Sequence, residues 1–234
     1  MIKGIQAVTF DFFNTLVYHR RGDAGRGAML MAYLASHAIA SDPWEHQVLY
    51  DVMEPHAREY SPDFPPAEKH AYFCQLAGRV FRRLNVSTEH QPADHAAAIW
   101  NLIGPGSLAL FPEVLPTLDR LRSAGYRLAI ISNWQCGLHH FCVELGLADR
   151  FEHVLSSAEV GCAKPDAQIF ADACQRLGVE PGRVLHVGDT QLDDVDGAQA
   201  YGMQPILIDR KGHGSASISS LDGVLEILGY ADRT

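Results

Sequence analysis

The chain has 234 residues, 47% hydrophobic and 20% charged, enough to bury a sizeable core in one large domain or in a core with a smaller insert. Its formal charge of −9 excludes a basic surplus for phosphate backbones, and with it a nucleic-acid partner, but leaves room for a small anionic substrate held by the local field of a cleft. The five cysteines, Cys74, Cys136, Cys142, Cys162 and Cys174, show no C-x-x-C or zinc spacing and read as reduced thiols of a cytoplasmic protein. No apolar run reaches the ~20 residues that a membrane span needs.

The first predicted element is a buried strand over Ile5–Asp11, an apolar run that ends in a carboxylate and continues into Phe12-Phe13-Asn14-Thr15-Leu16. Residues 19–107 then carry helical periodicity only, over Ala28–Ala38, Trp44–Tyr60, Glu68–Leu84 and Asp94–Ile103, separated by polar and proline-containing turns. Gly104-Pro105-Gly106 marks the return from this all-helical insert. A helix over Pro112–Ala124 has a proline in its first turn and a stop at Gly125. From there strands and helices alternate. Strand Arg127–Ser132 precedes helix Leu138–Leu145, strand His153–Ser156 precedes helix Asp166–Leu177, and strand Arg183–Asp189 precedes helix Asp194–Tyr201. Strand Gln204–Asp209 and helix Leu221–Leu228 close the chain. This alternation predicts an α/β fold, a doubly wound parallel sheet, built from residues 1–18 and 108–234 around the helical insert 19–107.

In an open parallel sheet, ligands bind beyond the carboxyl ends of the strands. Those ends carry Asp11, Ser132-Asn133 and Asp189, and Lys164 lies in the loop after His153–Ser156. Singly, each has a duller reading: an Asp after a strand is a turn residue, Ser-Asn is a helix cap, and Lys-Pro is a solvated loop. Their order along successive strand ends is what carries weight.

These residues resemble the motifs of the haloacid dehalogenase superfamily of hydrolases. The first motif is matched by Asp11 to Leu16, the second by Ile130-Ile131-Ser132-Asn133, and the third by Lys164-Pro165. The fourth is matched by Gly188-Asp189-Thr190 with Asp194. The resemblance covers nearly the whole chain and implies a Rossmann-like core with a helical cap. It makes Asp11 the nucleophile of a covalent aspartyl intermediate, with Ser132 and Lys164 as catalytic partners that hold oxygen and neutralise charge. Asn133, Phe13 and Trp134 fall where substrate is contacted. For phosphatases of the family it also implies Mg²⁺, held by Asp11, the backbone carbonyl of Phe13, Asp189 and Asp194, a hard-oxygen set suited to that ion.

Phe13 departs from the phosphatase pattern. There the family places an Asp that protonates the leaving group, whereas its dehalogenases carry Tyr and displace a halide that needs no proton. The dehalogenases work without metal, lack the Gly-Asp pair and hold halide with a cap arginine. Here no arginine lies between Arg26 and Arg58. The expectation is therefore a Mg²⁺-dependent phosphatase for a small phosphorylated metabolite. The alternatives are a dehalogenase-like hydrolase and a catalytically impaired binding protein.

Overall fold

The computed structural model describes residues 2–20, 25–43, 52, 66–103, 105–134, 137–212, 214 and 218–230. They divide into two compact units. One contains residues 1–18, 110–134 and 147–234; the other contains 19–109 together with 135–146.

The first unit is built on five parallel strands in the order β5-β4-β1-β6-β7, where β1 is Ala7–Phe10, β4 Arg127–Ser132, β5 His153–Ser156, β6 Val184–Gly188 and β7 Gln204–Leu207. The chain runs from β1 outward through β4 to β5, then crosses to the other side of β1 for β6 and β7. Right-handed crossovers in opposite directions put helices on both faces, so the sheet is doubly wound as the alternation predicted. All four residues of β1 are fully buried, as a central strand covered on both faces requires. Ala7, Ala129, Ile131, Leu155 and Val184 share one cluster with Ile169, Phe170, Ala173 and Leu177 of the helix Ala167–Leu177. That helix is capped at one end by the Asp166 side chain, which accepts from the Gln168 amide. It stops at Gly178, whose φ of 58° is left-handed.

The predicted strands are found in place: Arg127–Ser132 and His153–Ser156 with the expected bounds, the other three shorter by two or three residues. One helix differs in kind. The expected Asp194–Tyr201 helix is a π-helical turn, Gln191–Asp196, running into a short α-helix, Gly197–Tyr201. The wider turn carries Asp194 inward, and its side chain is buried.

In the second unit the described segments of 25–43 and 66–103 are helical: Gly25–Ser36, Pro66–Arg83 and Pro92–Ile103. The last two pack together through Phe73 and Trp100, whose rings stack at 4.5 Å, over buried Leu76, Val80 and Ile99. The expected Trp44–Tyr60 helix lies outside the described residues, apart from Val52. Residues 135–146, including the helix Leu138–Glu144, go with this unit although they follow β4 in the chain. Two short paired strands, β2 (Val17–His19) and β3 (Leu108–Leu110), stand where the chain leaves the first unit and where it returns. Among the described residues, no helix is long and apolar enough to cross a membrane.

Candidate active site

The order of the strands places the carboxyl ends of β1, β4 and β6 side by side, with the winding direction reversing at β1. This is the crevice where open sheets bind ligands. Asp11 follows β1 directly. Its backbone amide donates to the Val187 carbonyl at 2.8 Å, continuing the ladder one step and fixing the direction in which its side chain leaves the sheet. Alternation along β1 puts Ala7, Thr9 and Asp11 on one face.

Lys164 is the electrostatic centre of the site. It is almost fully buried, and its Nζ donates to Asp11 Oδ1 at 2.7 Å and to Asp194 Oδ1 at 2.5 Å. The Ser132 hydroxyl donates to the same Asp11 oxygen at 3.0 Å. Burial disfavours the ammonium, but the two carboxylates outweigh it and hold the Lys164 pKa above its ordinary value. Burial, together with the nearby Asp194 charge, raises Asp11 against the pull of Lys164. Asp194 is held well below the usual carboxylate range: burial opposes this, but bonds from His186 and Lys164 prevail.

Asn133 is a clamp for the lysine loop. Its side-chain amide donates to the Lys164 carbonyl at 2.9 Å and accepts from the Lys164 amide at 2.7 Å. Trp134 is buried. Its backbone amide donates to Ser157 Oγ at 3.1 Å, and its ring meets Phe12 edge-on at 5.2 Å. Phe13, half-buried, packs on the same indole with ring centroids 6.4 Å apart. The ring therefore lies in an aromatic contact at the position where the phosphatase pattern has an acid.

One carboxylate oxygen from each of Asp11, Asp189 and Asp194 lies within 4.8 Å of the other two. One ammonium faces these three acids. Asp194 is also fully engaged by protein, since Oδ1 takes Lys164 and His186 and Oδ2 accepts from the Thr190 amide at 3.0 Å. Asp189 carries the strain of this arrangement. Its pKa is pushed up to about 6, first by burial and then by Asp11 and Asp194, against a hydrogen bond from Asn14 and the Lys164 charge. An excess of hard oxygen donors around a half-buried, destabilised carboxylate fits a divalent cation such as Mg²⁺.

That strain predicts a stability effect of definite sign. A carboxyl whose folded pKa exceeds its unfolded 3.8 lowers stability as pH rises toward about 6, and the full cost persists above it. A shift of about two units corresponds to about 3 kcal/mol, and solvent screening of this half-buried group brings it to about 1 kcal/mol. Without metal, Asp189→Asn should therefore melt about 3 °C above the parent at pH 8, with the gap narrowing as pH falls below about 6 and closing only once pH has passed the unfolded value of 3.8. Thermal melts in chelator test this; a variant less stable at pH 8, or a gap that does not change with pH, contradicts it.

Sequence reasoning placed Asp11, Ser132-Asn133 and Asp189 at the strand ends, Lys164 in the loop after His153–Ser156 and Asp194 at the start of a helix; in the fold these residues meet. It missed Thr9, Asn14 and His186. The signal for Thr9 and His186 was present: each is a polar residue inside an otherwise apolar buried strand.

Residues 5–202 match the family described as hydrolase, haloacid dehalogenase-like hydrolase. The chain belongs to that family. Among its relatives, glyceraldehyde 3-phosphate phosphatase of Methanopyrus kandleri is 29% identical over 217 residues, covering 88% of this chain and 84% of that protein. (S)-2-haloacid dehalogenase 4A of Burkholderia cepacia is 35% identical over 224 residues, covering 91% and 87%. The similarity to haloacid dehalogenase-like hydrolase domain-containing protein 3 of Mus musculus is higher, 46%, but spans 92 residues, 39% of this chain and 37% of that protein. The crystal structure of 2-haloacid dehalogenase from Pseudomonas syringae pv. Tomato DC3000 superimposes with a TM-score of 0.61 at 27% identity, over 96% and 98% of the two chains. This haloacid dehalogenase-like chain is thus a hydrolase with both phosphatase and dehalogenase relatives.

Proposed function

We propose that this hydrolase is a Mg²⁺-dependent phosphatase acting on a small phosphorylated metabolite, with residues 19–107 as its cap. The observation that carries the reading is Asp189. Its carboxylate is disfavoured by burial and then by the charges of Asp11 and Asp194, a cost that a cation would relieve.

In this reading Asp11 attacks phosphorus, its carboxylate oxygen forming a bond as the bond to the leaving oxygen breaks. Burial strips water from the nucleophile, while the bonds from Ser132 and Lys164 to one carboxylate oxygen aim the other. Lys164 also neutralises charge shared between Asp11 and the phosphoryl oxygens. Water then attacks the phosphorus of the aspartyl phosphate; inorganic phosphate takes up its proton, and Asp11 is restored. Magnesium, when bound, would add positive charge beside the transferring oxygens. Asp11, Asp189 and the carbonyl of Phe13 would hold it. Asp194, already bonded through both oxygens, would reach it through water. Phe13 supplies no proton, so substrates whose leaving oxygen departs unprotonated, acyl and aryl phosphates, suit the site.

Calorimetry tests the metal assignment. Wild type should bind Mg²⁺, and Asp189→Ala should bind it much more weakly. Equal binding by the two removes Asp189 from the site, and binding by neither favours the second reading. That reading is a dehalogenase-like displacement of halide, and it is favoured by one observation: an aromatic ring, not an acid, occupies position 13 against Trp134.

A further inference from the structure

Below Asp11 and Lys164 the sheet contains a second polar layer that the proposed chemistry does not use. Thr9 and His186 are register partners on adjacent parallel strands, β1 and β6, and both are fully buried. Such positions in a central parallel sheet are ordinarily apolar, because a buried polar group is tolerated only when its hydrogen bonds are met. Here they are met in a chain. Thr9 Oγ1 lies 2.9 Å from His186 Nδ1, and His186 Nε2 lies 3.2 Å from Asp194 Oδ1. Asp194 Oδ1 in turn accepts from Lys164, which reaches Asp11.

The tautomer follows from the partners. Asp194 is a carboxylate and accepts, so Nε2 carries the proton. Nδ1 then accepts from the Thr9 hydroxyl, whose alternative acceptor, the Leu185 carbonyl, is farther away at 3.5 Å. Phe170, from the helix that follows the Lys164 loop, packs edge-on against the His186 ring with centroids 5.5 Å apart. Gly188 completes the arrangement. It lies two residues after His186 on the same face, and a Cβ there would stand 2.1 Å from Asp194 Cγ. The missing side chain is the space through which Asp194 descends to the histidine.

We infer that Thr9 and His186 are positioning residues: the Thr9 hydroxyl anchors Nδ1 of the His186 ring, so that its Nε2–H, which the Asp194 carboxylate requires, holds Asp194 at the angle that aims Lys164 at Asp11. Neither residue touches substrate. Without His186, Asp194 Oδ1 would keep only Lys164 while Oδ2 stayed on the Thr190 amide, and the lysine would lose the bond that sets the depth and angle of its anchor. The inference rests on the hydrolase reading for its kinetic consequence, but its structural part can be measured without turnover.

The test has two arms. In the first, ¹⁵N-histidine NMR of the wild type, with the His186 signal found by subtraction of the His186→Gln spectrum, should show a protonated Nε2 and an unprotonated Nδ1, with and without Mg²⁺. Thr9→Val should shift the Nδ1 resonance, which loses its hydrogen bond, and Thr9→Ser should restore it. A protonated Nδ1 in the wild type, or an Nδ1 resonance indifferent to Thr9→Val, overturns the inference. In the second, turnover of p-nitrophenyl phosphate is followed in the folded variants. Thr9→Val and His186→Leu should lower kcat/KM ~10–100-fold, the usual range for groups that orient catalytic ones. KM should rise along with the fall in kcat, because Lys164 contacts the phosphoryl group. Thr9→Ser and His186→Gln, which keep the hydroxyl and the donor, should recover most of the loss. A fall in kcat alone, matched by the conservative variants, means a general loss of folded enzyme and overturns the positioning role. If the wild type turns over no phosphate ester, the phosphatase reading fails while the first arm still decides the tautomer.

Discussion

Lys164→Met is expected to lower folding stability by about 3–5 kcal/mol and to abolish measurable turnover. Methionine matches the length of the lysine stem but brings no charge to Asp11 and Asp194, whose oxygens lie 2.7 and 2.5 Å from Nζ. Removing one partner of a buried ionic cluster leaves the others uncompensated, and this is the case in which buried ion pairs show their largest mutational cost. For a chain of this length the loss corresponds to a fall in Tm of about 10 °C. The pH dependence separates this cause from poor packing. Without the ammonium, both carboxyls would titrate well above their unfolded value of 3.8. The cost is then fully present above those raised folded pKa values and is relieved as pH falls through them. The Tm deficit should therefore be larger at pH 8 than at pH 5, and Lys164→Met combined with Asp194→Asn should recover part of it. A deficit equal at both pH values would assign the effect to packing and refute the electrostatic account.

Phe13→Asp should raise turnover of alkyl phosphates by up to ~10²-fold, the lower part of the range for a general acid–base. The wild type should be slow on such esters and much faster on acyl or aryl phosphates, whose leaving oxygens need little protonation. Two features of the structure limit the gain. The Phe13 ring packs on Trp134, so its removal leaves part of that indole without a neighbour. A new carboxylate would also join Asp11, Asp189 and Asp194, and like charges would raise its pKa. Phosphate and halide release by wild type and variant, with Mg²⁺ and with chelator, decide the matter. Halide release from 2-haloacids by the wild type in chelator, with no phosphate release from any ester, would overturn the phosphatase reading in favour of the displacement chemistry of its dehalogenase relatives.

The two predictions draw on different kinds of information. The Phe13 argument needs little more than the residue after Asp11-Phe12. The Lys164 argument depends on depth and distance. Lys164 and Asp11 are separated by 153 positions in the chain, and only the parallel order β5-β4-β1-β6-β7 makes them neighbours.

Local chemistry made the strands, the helix stops and the polar strand ends legible, because a buried parallel strand must be an apolar run and a ligand-binding edge must break it. Apolar runs ending in Asp11, Ser132 and Asp189 therefore announced both the sheet and its active edge. Three things were decided by packing. Asp194 reads in sequence as an acid in the first turn of an ordinary helix. The π-turn Gln191–Asp196 and the space beside Gly188 bring it down onto Lys164 and His186. Residues 135–146 follow a core strand yet go with the helical unit, and their short amphipathic pattern does not say which body they cover. Thr9 and His186 look like lapses in apolar strands, until the register of β1 and β6 sets them opposite one another. Periodicity records which face of an element is buried; it holds no record of which buried group meets which, because that depends on strand order and register across distant parts of the chain.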